Sequence, residues 1–283
     1  MIRLFACDLD GTLLNAAHES DEIIRDAVER ITAEGKYFAV ATGRQMNAGR
    51  IAELGFDREH MYTVCLSGAL IYGDRGEILY HRGIEAAFVR KIIRAFPDIE
   101  FRFHGVDCTY ARYSRERFIE DFMSRPDPSA DMGPGGQEKR MNMFMSDSRF
   151  DQSEEEIAGQ EILKITCRLT EPDRRRKLDN FLYEHRKEAV NAPFDDESYE
   201  ITHRSVDKGE GVAWLGARLG VSESETAAYG DSLNDLAMLK RFCHSYAMAG
   251  AVPEAKEAAR EILGRYEDYA VPAHILKTLE QER

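Results

Sequence analysis

The first third of the chain alternates short apolar runs with segments whose apolar residues recur at helical spacing. The runs have the length of strands, while Ser20 or Asp21 is placed to begin the first helix and Gly35 to end it. Strands separated by helices predict right-handed crossovers and a parallel sheet. The predicted strands are residues 2–7, 37–41 and 62–66, and the predicted helices are residues 21–35 and 46–54.

The middle of the chain has the pattern of an antiparallel sheet. Residues 68–81 predict a hairpin that turns at 74–76, and residues 99–113 alternate apolar with polar side chains around a turn near Gly105. Met141, Met143 and Met145 also alternate, which predicts one face of a strand. The remaining predicted elements are a proline- and glycine-rich loop at 126–136, strands at 141–147 and 162–170, and a helix at 173–187.

From Lys208 onward the alternation of helices and strands returns. An α/β core interrupted by an α+β insert explains both patterns. We assign residues 1–81 and 205–283 to the core and residues 82–204 to the insert. The predicted elements of this last part are a helix from 208 to 219, a strand at 226–230, a helix at 233–241, a strand at 243–249 and a helix at 253–263.

The net charge of the chain disfavours nucleic acids and anionic membranes as binding partners. Lys plus Arg number 38 and Asp plus Glu number 51 in 283 residues, which gives a formal net charge of −13. A general nucleic-acid binder is expected to carry a basic footprint, and an acidic surface does not adsorb to anionic membranes. The expected partner is therefore a small molecule, and an anionic substrate requires positive charge supplied locally.

Cysteine usage and hydropathy predict a cytoplasmic protein. The five cysteines are scattered and form no CxxC pair, which disfavours a zinc cluster or a disulfide framework. Asp8 interrupts the first apolar run before it reaches signal-peptide length, and no segment reaches the roughly 18 apolar residues of a membrane span.

The motif DLDGTLL, at residues 8–14, follows directly after the first predicted strand. Ligands of open parallel sheets bind at the carboxyl ends of the strands. Two carboxylates separated by one residue, Asp8 and Asp10, can gather around one cation or divide nucleophile and acid roles between them. Gly11 permits the tight backbone of such a loop.

Three further pieces of sequence lie at a strand end or a helix start. Thr42 follows the second strand, where its hydroxyl and backbone N–H groups could hold an anion, and Lys208 could neutralise a phosphate as a compact cation. Asp231 ends another strand and offers a third hard oxygen ligand for Mg²⁺, with Asn234 and Asp235 in the next turn.

These motifs, in this order, resemble the haloacid dehalogenase superfamily of phosphotransferases, specifically its Cof-type branch with a type IIB cap. The resemblance covers nearly the whole chain. It implies a Rossmann-like core with a parallel sheet and helices on both faces, plus an inserted α+β cap. It further implies a Mg²⁺-dependent phosphatase that hydrolyses small phosphorylated metabolites, such as sugar-phosphate monoesters, through an aspartyl-phosphate.

The resemblance also implies a role for each matching residue. Asp8 is the nucleophile, and Asp10 protonates the leaving alcohol and then activates water, provided that its pKa is raised or the substrate arrives protonated. The implied phosphoryl-binding and substrate-binding residues are Thr42, Gly43, Arg44, Lys208 and Asn234. The implied Mg²⁺ ligands are Asp8, the backbone carbonyl of Asp10, and Asp231, with Asp235 in a supporting position.

Two positions depart from the pattern of the branch. Ser67 precedes Gly68 and Ala69 where the family usually has Asn-Gly-Ala, and Gly250 stands within Ala-Gly-Ala where it usually has Gly-Asn-Ala. These changes affect expected contacts on the substrate side and leave the phosphoryl chemistry intact.

The insert is expected to form a lid that contacts the leaving group, with Arg102, His104, Arg112 and Arg168 as charged candidates and the loop at 126–136 as either a gate or a surface loop. Two alternatives stay open. A phosphosugar mutase of the phosphomannomutase type needs a second phosphate cradle in the insert, where no arginine cluster is evident. A non-catalytic phospho-ligand sensor would not require the intact set of chemically matched residues.

Overall fold

Residues 1–124 and 136–283 are described by a computed structural model, which leaves aside the side chains of Lys139, Arg140 and Met143. These residues form two compact units. The first combines Met1–Arg82 with Ser205–Arg283, and the second is Gly83–Arg204. The loop predicted at 126–136 lies outside the described residues up to position 135.

The first unit contains a mixed sheet in which most neighbouring strands are parallel. Its strands, numbered along the whole chain, are β1 (Leu4–Cys7), β2 (Tyr37–Ala41), β3 (Met61–Cys65), β4 (Leu70–Tyr72), β5 (Ile78–His81), β12 (Thr226–Gly230), β13 (His244–Ala247) and β14 (Glu261–Ile262). The strand order is β14-β13-β12-β1-β2-β3-β4-β5. Pairs from β14 to β3 are parallel, and the predicted hairpin adds β4 and β5 antiparallel at one edge.

Helices cover both faces of this sheet. They are α1 (Glu22–Ala33), α2 (Ala48–Glu53), α8 (Lys208–Leu219), α9 (Leu236–Arg241), α10 (Pro253–Ala258) and α11 (Ala270–Gln281). Leu4 and Ala6 of β1 share one apolar cluster with residues of α8 and α9, whereas α1 contacts β2 and α11. Asp21 caps α1 by accepting the backbone N–H of Ile24, which decides between the two predicted start residues. The observed layers confirm the predicted α/β class.

The second unit is a mainly antiparallel sheet with an apolar core against one face. Its strands are β6 (Arg102–His104), β7 (Thr109–Ala111), β8 (Ser148–Arg149), β9 (Lys164–Arg168), β10 (Ala189–Asn191) and β11 (Ser198–His203), in the order β10-β11-β9-β6-β7-β8. Its helices are α3 (Ala86–Ala95), α4 (Arg115–Ser124), α5 (Gly136–Ser146), α6 (Glu154–Ala158) and α7 (Pro172–Glu184). Phe103, Ile165 and Ile201 pair across neighbouring strands and join the core that contains Phe88 and Leu178.

Two predicted elements are wrong. The strand predicted at 141–147 lies almost entirely in α5, because methionine is a good helix former and alternation over so few residues does not distinguish a strand from a helix. The helix predicted over 253–263 ends at Ala258. Glu261 and Ile262 instead form β14, whose pairing with β13 outweighs their local helical pattern.

The cysteines take no part in disulfides within the described structure. Cys7 and Cys65 are buried at the ends of β1 and β3, Cys108 and Cys167 are partly buried, and Cys243 is exposed. Burial, and then the charge of Asp8, raises the pKa of the Cys7 thiol well above its ordinary value. Across residues 1–124 and 136–283, no helix combines the length and the apolar character that a bilayer crossing requires.

Candidate active site

Asp8 and Lys208 form a buried ion pair at the carboxyl end of β1. Asp8 directly follows β1, and its backbone N–H donates to the carbonyl of Tyr229 in β12 (3.0 Å). Lys208 is the first residue of α8, and its Nζ lies 2.6 Å from Asp8 Oδ1. Only 6% of Asp8 and 1% of Lys208 is exposed. Residues that are 200 positions apart in sequence therefore meet in one desolvated pocket.

Asp231 and Asp235 complete an acidic cluster with Asp8. Each of the three side chains places a carboxylate oxygen within 4.8 Å of the other two. Asp231 directly follows β12, the parallel neighbour of β1, and Asp235 lies in the helical turn that begins α9. Lys208 Nζ also donates to Asp235 Oδ1 (2.6 Å), so one ammonium group contacts two of the three carboxylates.

Two glycines allow the carboxylates to approach the backbone this closely. Gly11 has a φ of +75°, and a Cβ added there would lie 2.6 Å from Asp231 Oδ2. A Cβ at Gly230 would lie 2.6 Å from the Cβ of Asp235. Side chains at 11 and 230 would therefore displace the two carboxylates, which explains why the motif and the strand end carry glycine.

The cluster combines three carboxylates with the single ammonium group of Lys208, and this excess of negative charge adds to the effect of burial on the pKa values of Asp8 and Asp231. Burial raises the pKa of Asp8 well above its ordinary value, and the charges of Asp235 and Asp231 add to this against the opposing charge of Lys208. Burial, followed by the charge of Asp235, raises the pKa of Asp231 to about 6. Burial alone lowers the pKa of Lys208, but the charges of Asp235 and Asp8 outweigh it and raise the pKa above its ordinary value.

Asp10 lies in a different environment although it is only two residues from Asp8. Arg44 Nε donates to Asp10 Oδ2 (2.7 Å), Arg44 Nη2 contacts Oδ1, and His18 Nδ1 lies 2.9 Å from the same Oδ1. The side chain of Asp10 is 42% exposed. Desolvation raises the pKa of Asp10, but the hydrogen bond with His18 and the charge of Arg44 outweigh it and hold the pKa below its ordinary value. An acid that donates a proton requires the opposite direction.

Thr42 and Asn234 lie on opposite sides of β1, at the ends of β2 and β12. Thr42 is buried, and its backbone N–H donates to the carbonyl of Val64 (2.8 Å), so this N–H serves the sheet rather than an anion. Its Oγ1 accepts the backbone N–H of Arg44 (3.1 Å), and this hydrogen bond closes a tight turn at Gly43. Asn234 is buried, and among the described residues its Oδ1 has no hydrogen-bond partner.

His18 is a site residue that sequence reasoning missed. It lies in the loop before α1 with a φ of +57°, and Asn15 Oδ1 fixes this loop by accepting the N–H groups of Ala17 and Glu19 (3.0 Å each). Asn15 is an available signal, because asparagine side chains stabilise tight turns in this way. Nothing in the spacing of the sequence indicates that the ring of His18 reaches Asp10.

The donor set of the cluster fits a divalent cation. Asp8, Asp231 and Asp235 supply hard carboxylate oxygens, the ligands that Mg²⁺ prefers. Besides burial, the charges of Asp235 and Asp231 raise the pKa of Asp8, and the charge of Asp235 raises the pKa of Asp231, a repulsion that a cation would offset. The buried Oδ1 of Asn234, the residue before Asp235, has no partner among the described residues and is a further acceptor. Among the described residues, the side chain of Asp10 is not part of this cluster, and a role for its backbone carbonyl as a ligand stays a prediction.

The candidate residues of the second unit are mostly engaged within that unit. His104 bonds to Thr109 Oγ1 (3.0 Å) and Thr166 Oγ1 (2.9 Å), and Arg168 forms ion pairs with acidic neighbours. The guanidinium of Arg102 lies over the rings of Phe118 and Phe144, and Arg112 is exposed. A buried ion pair, Lys164 with Glu200 (2.7 Å), lies on the same polar face of the sheet as His104 and was not predicted.

Comparison with known proteins gives one consistent result. A family model described as haloacid dehalogenase-like hydrolase matches residues 5–275. The chain is 26% identical over 289 residues to phosphatase YwpJ of Bacillus subtilis (strain 168), covering 98% of this chain and 100% of that protein. It is 26% identical over 284 residues to the HMP-PP phosphatase of Serratia proteamaculans (strain 568), covering 98% and 95% of the two chains.

Solved structures agree at the level of the fold. The structure of the haloacid dehalogenase subclass IIB sugar phosphatase BT4131 matches with a TM-score of 0.76 at 18% identity, covering 98% of each chain. At this identity the likeness concerns the arrangement of strands and helices, including both the interrupted α/β unit and the α+β unit inserted into it.

Proposed function

We propose a function from a premise that the family match establishes: the chain belongs to the haloacid dehalogenase-like hydrolases of the Cof type and is a phosphatase. On this premise, the protein hydrolyses small phosphorylated metabolites, of the kind of sugar-phosphate monoesters, through an aspartyl-phosphate and with the help of Mg²⁺. The observation that carries the proposal is the buried Asp8–Lys208 pair, with Asp231 and Asp235 within 4.8 Å.

Asp8 is the proposed nucleophile. Its carboxylate oxygen forms a bond to phosphorus while the bond from phosphorus to the leaving oxygen breaks, and Asp10 gives a proton to that oxygen. In the second half, water attacks the phosphorus, Asp10 accepts the proton of the water, and the bond from phosphorus to Asp8 breaks to release inorganic phosphate. The lowered pKa keeps Asp10 in the carboxylate form that the second half requires, but it also makes that carboxylate a weaker base.

The first half requires that Asp10 be protonated, and its contacts with His18 and Arg44 oppose this. Arg44 contacts Asp10 through two guanidinium nitrogens. A guanidinium also matches the geometry of a phosphate, so Arg44, together with Thr42, Gly43, Lys208 and Asn234, is a proposed substrate-binding residue. Transfer of Arg44 from Asp10 to the substrate would remove one of the two contacts that lower the pKa of Asp10, while the contact with His18 would remain.

Asp8, Asp231 and the backbone carbonyl of Asp10 are the proposed Mg²⁺ ligands, with Asp235 in support through Lys208 and the backbone. When bound, Mg²⁺ supplies charge that offsets the repulsion between a carboxylate and a phosphate. Asp235 Oδ2 accepts the N–H groups of Asp231 and Ser232 (3.0 Å each), which fixes the loop that carries Asp231. Lys208 stabilises the charge on the transferring group as a preorganised cation.

The substrate class rests on charge and on names that relatives carry. A phosphatase named for HMP-PP and another named for sugars share this fold, which supports small phosphorylated metabolites as substrates. With a net charge of −13, the protein attracts its anionic substrate only through local cations such as Lys208 and Arg44. Five free thiols support a cytoplasmic location.

The test is release of inorganic phosphate from para-nitrophenyl phosphate and from a panel of sugar phosphates, with Mg²⁺ and with excess EDTA. We expect turnover that EDTA abolishes and Mg²⁺ restores. Folded protein that hydrolyses none of these esters in the presence of Mg²⁺ would favour a phospho-ligand sensor. Conversion of mannose 1-phosphate to its isomer, without release of phosphate, would favour a mutase instead.

A further inference from the structure

Three consecutive residues after β3 have positive φ values. They are Leu66 (+49°), Ser67 (+58°) and Gly68 (+99°), and all three are buried. Leucine and serine rarely adopt this left-handed conformation because their Cβ atoms crowd the backbone. Such strain persists only where the surrounding structure imposes it, and it is concentrated at functional sites. The contacts of this Leu66–Gly68 turn show what imposes it.

On one side, the turn is bonded to the chain that follows β2. The backbone N–H of Ser67 donates to the carbonyl of Thr42 (3.0 Å), and that of Leu66 donates to the carbonyl of Arg44 (3.0 Å). The turn therefore holds the backbone of two proposed substrate-binding residues, and neither bond would form if Leu66 and Ser67 continued the extended conformation of β3.

On the other side, the turn is packed against the start of α8. A Cβ added to Gly68 would lie 2.2 Å from the carbonyl oxygen of Asp207 and 3.4 Å from the backbone nitrogen of Lys208. A Cβ added to Gly211, one helical turn further, would lie 2.7 Å from Val64 Cγ1 in β3 and 3.0 Å from the Cα of Gly68. The backbone of the turn and the first turn of α8 are thus in direct contact, with no room for a side chain between them.

We infer that the Leu66–Gly68 turn is a positioning element that sets Lys208 against Asp8, with Gly68 as its critical residue. The inference rests on the proposed function. Lys208 is the first residue of α8, so any shift of that end of the helix moves its Cα and with it the ammonium group. Nζ makes two contacts of 2.6 Å, and a displacement of about 1 Å in such an arrangement can cost on the order of 100-fold in rate.

The test compares substitutions of glycines that contact or avoid the turn. Gly68→Ala places a methyl group against Asp207, and Gly211→Ala is a milder wedge at the same contact, in a helical position that alanine favours. Gly220→Ala is the matched control, because Gly220 lies at the other end of α8 with a φ of +68° and no atom within 4 Å of an added Cβ. The Gly220→Ala variant therefore has the backbone strain of alanine in a left-handed conformation, but its methyl group displaces no neighbouring atom.

We expect Gly68→Ala to lower kcat by at least about tenfold and Gly211→Ala by less, while Gly220→Ala stays within about twofold of wild type, by the sensitivity of rate to placement. Circular dichroism and urea unfolding define conditions in which each variant is folded. In a Lys208→Ala background, Gly68→Ala should cause no further loss, since the two changes act on one interaction. Additive losses would overturn the inference.

Crystal structures of Gly68→Ala and Gly211→Ala provide a readout that does not depend on activity. We expect the distance from Lys208 Nζ to Asp8 Oδ1 to lengthen from 2.6 Å in each folded variant. An unchanged distance in both would overturn the inference. Absence of phosphatase activity in the wild type would instead count against the proposed function and leave this distance as the deciding measurement.

Discussion

Asp8 and Asp10 are separated by one residue, yet they occupy opposite electrostatic environments. Asp8 is enclosed with two other carboxylates and one lysine, and burial raises its pKa. Asp10 is 42% exposed and is contacted by Arg44 and His18, whose hydrogen bonds and charge outweigh desolvation and lower its pKa. In a regular strand these two side chains would share a face, but the chain leaves β1 at Asp8 and turns through Leu9–Leu13. Asp8 therefore meets Lys208 of α8, while Asp10 meets Arg44 of the chain after β2.

This contrast indicates how the nucleophile and the acid/base of a phosphatase can be separated within one short motif. Two titratable groups whose environments push their pKa values apart are a frequent sign of a division between acid, base and nucleophile. The Asp8 environment is a site for positive charge, since its three carboxylates lie around one ammonium group, which contacts two of them. The Asp10 environment already contains the positive charge of Arg44, a group that can exchange partners.

Asp8→Asn is expected to have the largest effect on kcat, because it changes the buried one of the two carboxylates. Removal of the nucleophile should abolish turnover, with a loss of at least about 10⁴-fold in kcat, by analogy with nucleophile deletions elsewhere. No phosphoenzyme should form, as measured by acid quench and mass spectrometry. Asp10→Asn is the control, because it should retain phosphoenzyme formation and slow its hydrolysis. Measurable turnover of Asp8→Asn in a folded protein would contradict the assignment.

Lys208→Ala is expected to have the next largest effect. Loss of the ammonium group leaves Asp8 and Asp235 without their shared partner and should lower kcat by about 10²–10³-fold, the range for one preorganised transition-state donor. Lys36→Ala is a matched control in the same unit. Lys36 is also buried and pairs with a carboxylate, Glu282 (2.5 Å), at the opposite end of β2 from Thr42.

Both lysine variants should lose stability, whereas only Lys208→Ala should lose activity. Turnover would be measured with Mg²⁺ at temperatures where circular dichroism shows each variant to be folded. Equal losses of kcat in the two variants would mean that the effect comes from a missing buried ion pair in general, and Lys208 would then have no special part in phosphoryl transfer.

The sequence predicts the strand ends well because buried parallel strands are short, uniformly apolar and sharply bounded. β2 occupies Tyr37–Ala41 and β12 occupies Thr226–Gly230, as predicted, and Thr42 and Asp231 follow them directly. Since the carboxyl ends of parallel neighbours lie at one edge of the sheet, local patterns suffice to bring the motifs together.

The sequence predicts poorly what depends on distant packing. Local alternation made residues 141–147 a strand, whereas helix propensity decides α5. The low pKa of Asp10 depends on His18 and Arg44, whose side chains reach it from the loop before α1 and from the chain after β2. Nothing in the local sequence indicates the left-handed conformation of Ser67. Asparagine, which the resemblance leads us to expect at this position, tolerates that conformation better than serine.

The smallest expected effect concerns the stability of the metal-free protein as a function of pH. The pKa of Asp231 is about 6 in the folded protein and about 3.9 when unfolded, so its contribution is present below pH 4 and is lost as pH rises through 6. Asp10 has the opposite sign, because its folded pKa lies below the ordinary value. Its contribution is present above pH 4 and changes only in stronger acid.

Urea unfolding in EDTA between pH 4.5 and 7.5 therefore separates the two carboxylates. Asp231→Asn should flatten the pH dependence of the free energy of unfolding, by on the order of 1 kcal/mol across this range, whereas Asp10→Asn should leave its slope unchanged. Part of the slope should remain in Asp231→Asn because the pKa of Asp8 is also raised. Excess Mg²⁺ should remove most of it, since a cation offsets the repulsion that raises both pKa values. A slope that responds to Asp10→Asn and not to Asp231→Asn would reverse the assignment of the two environments.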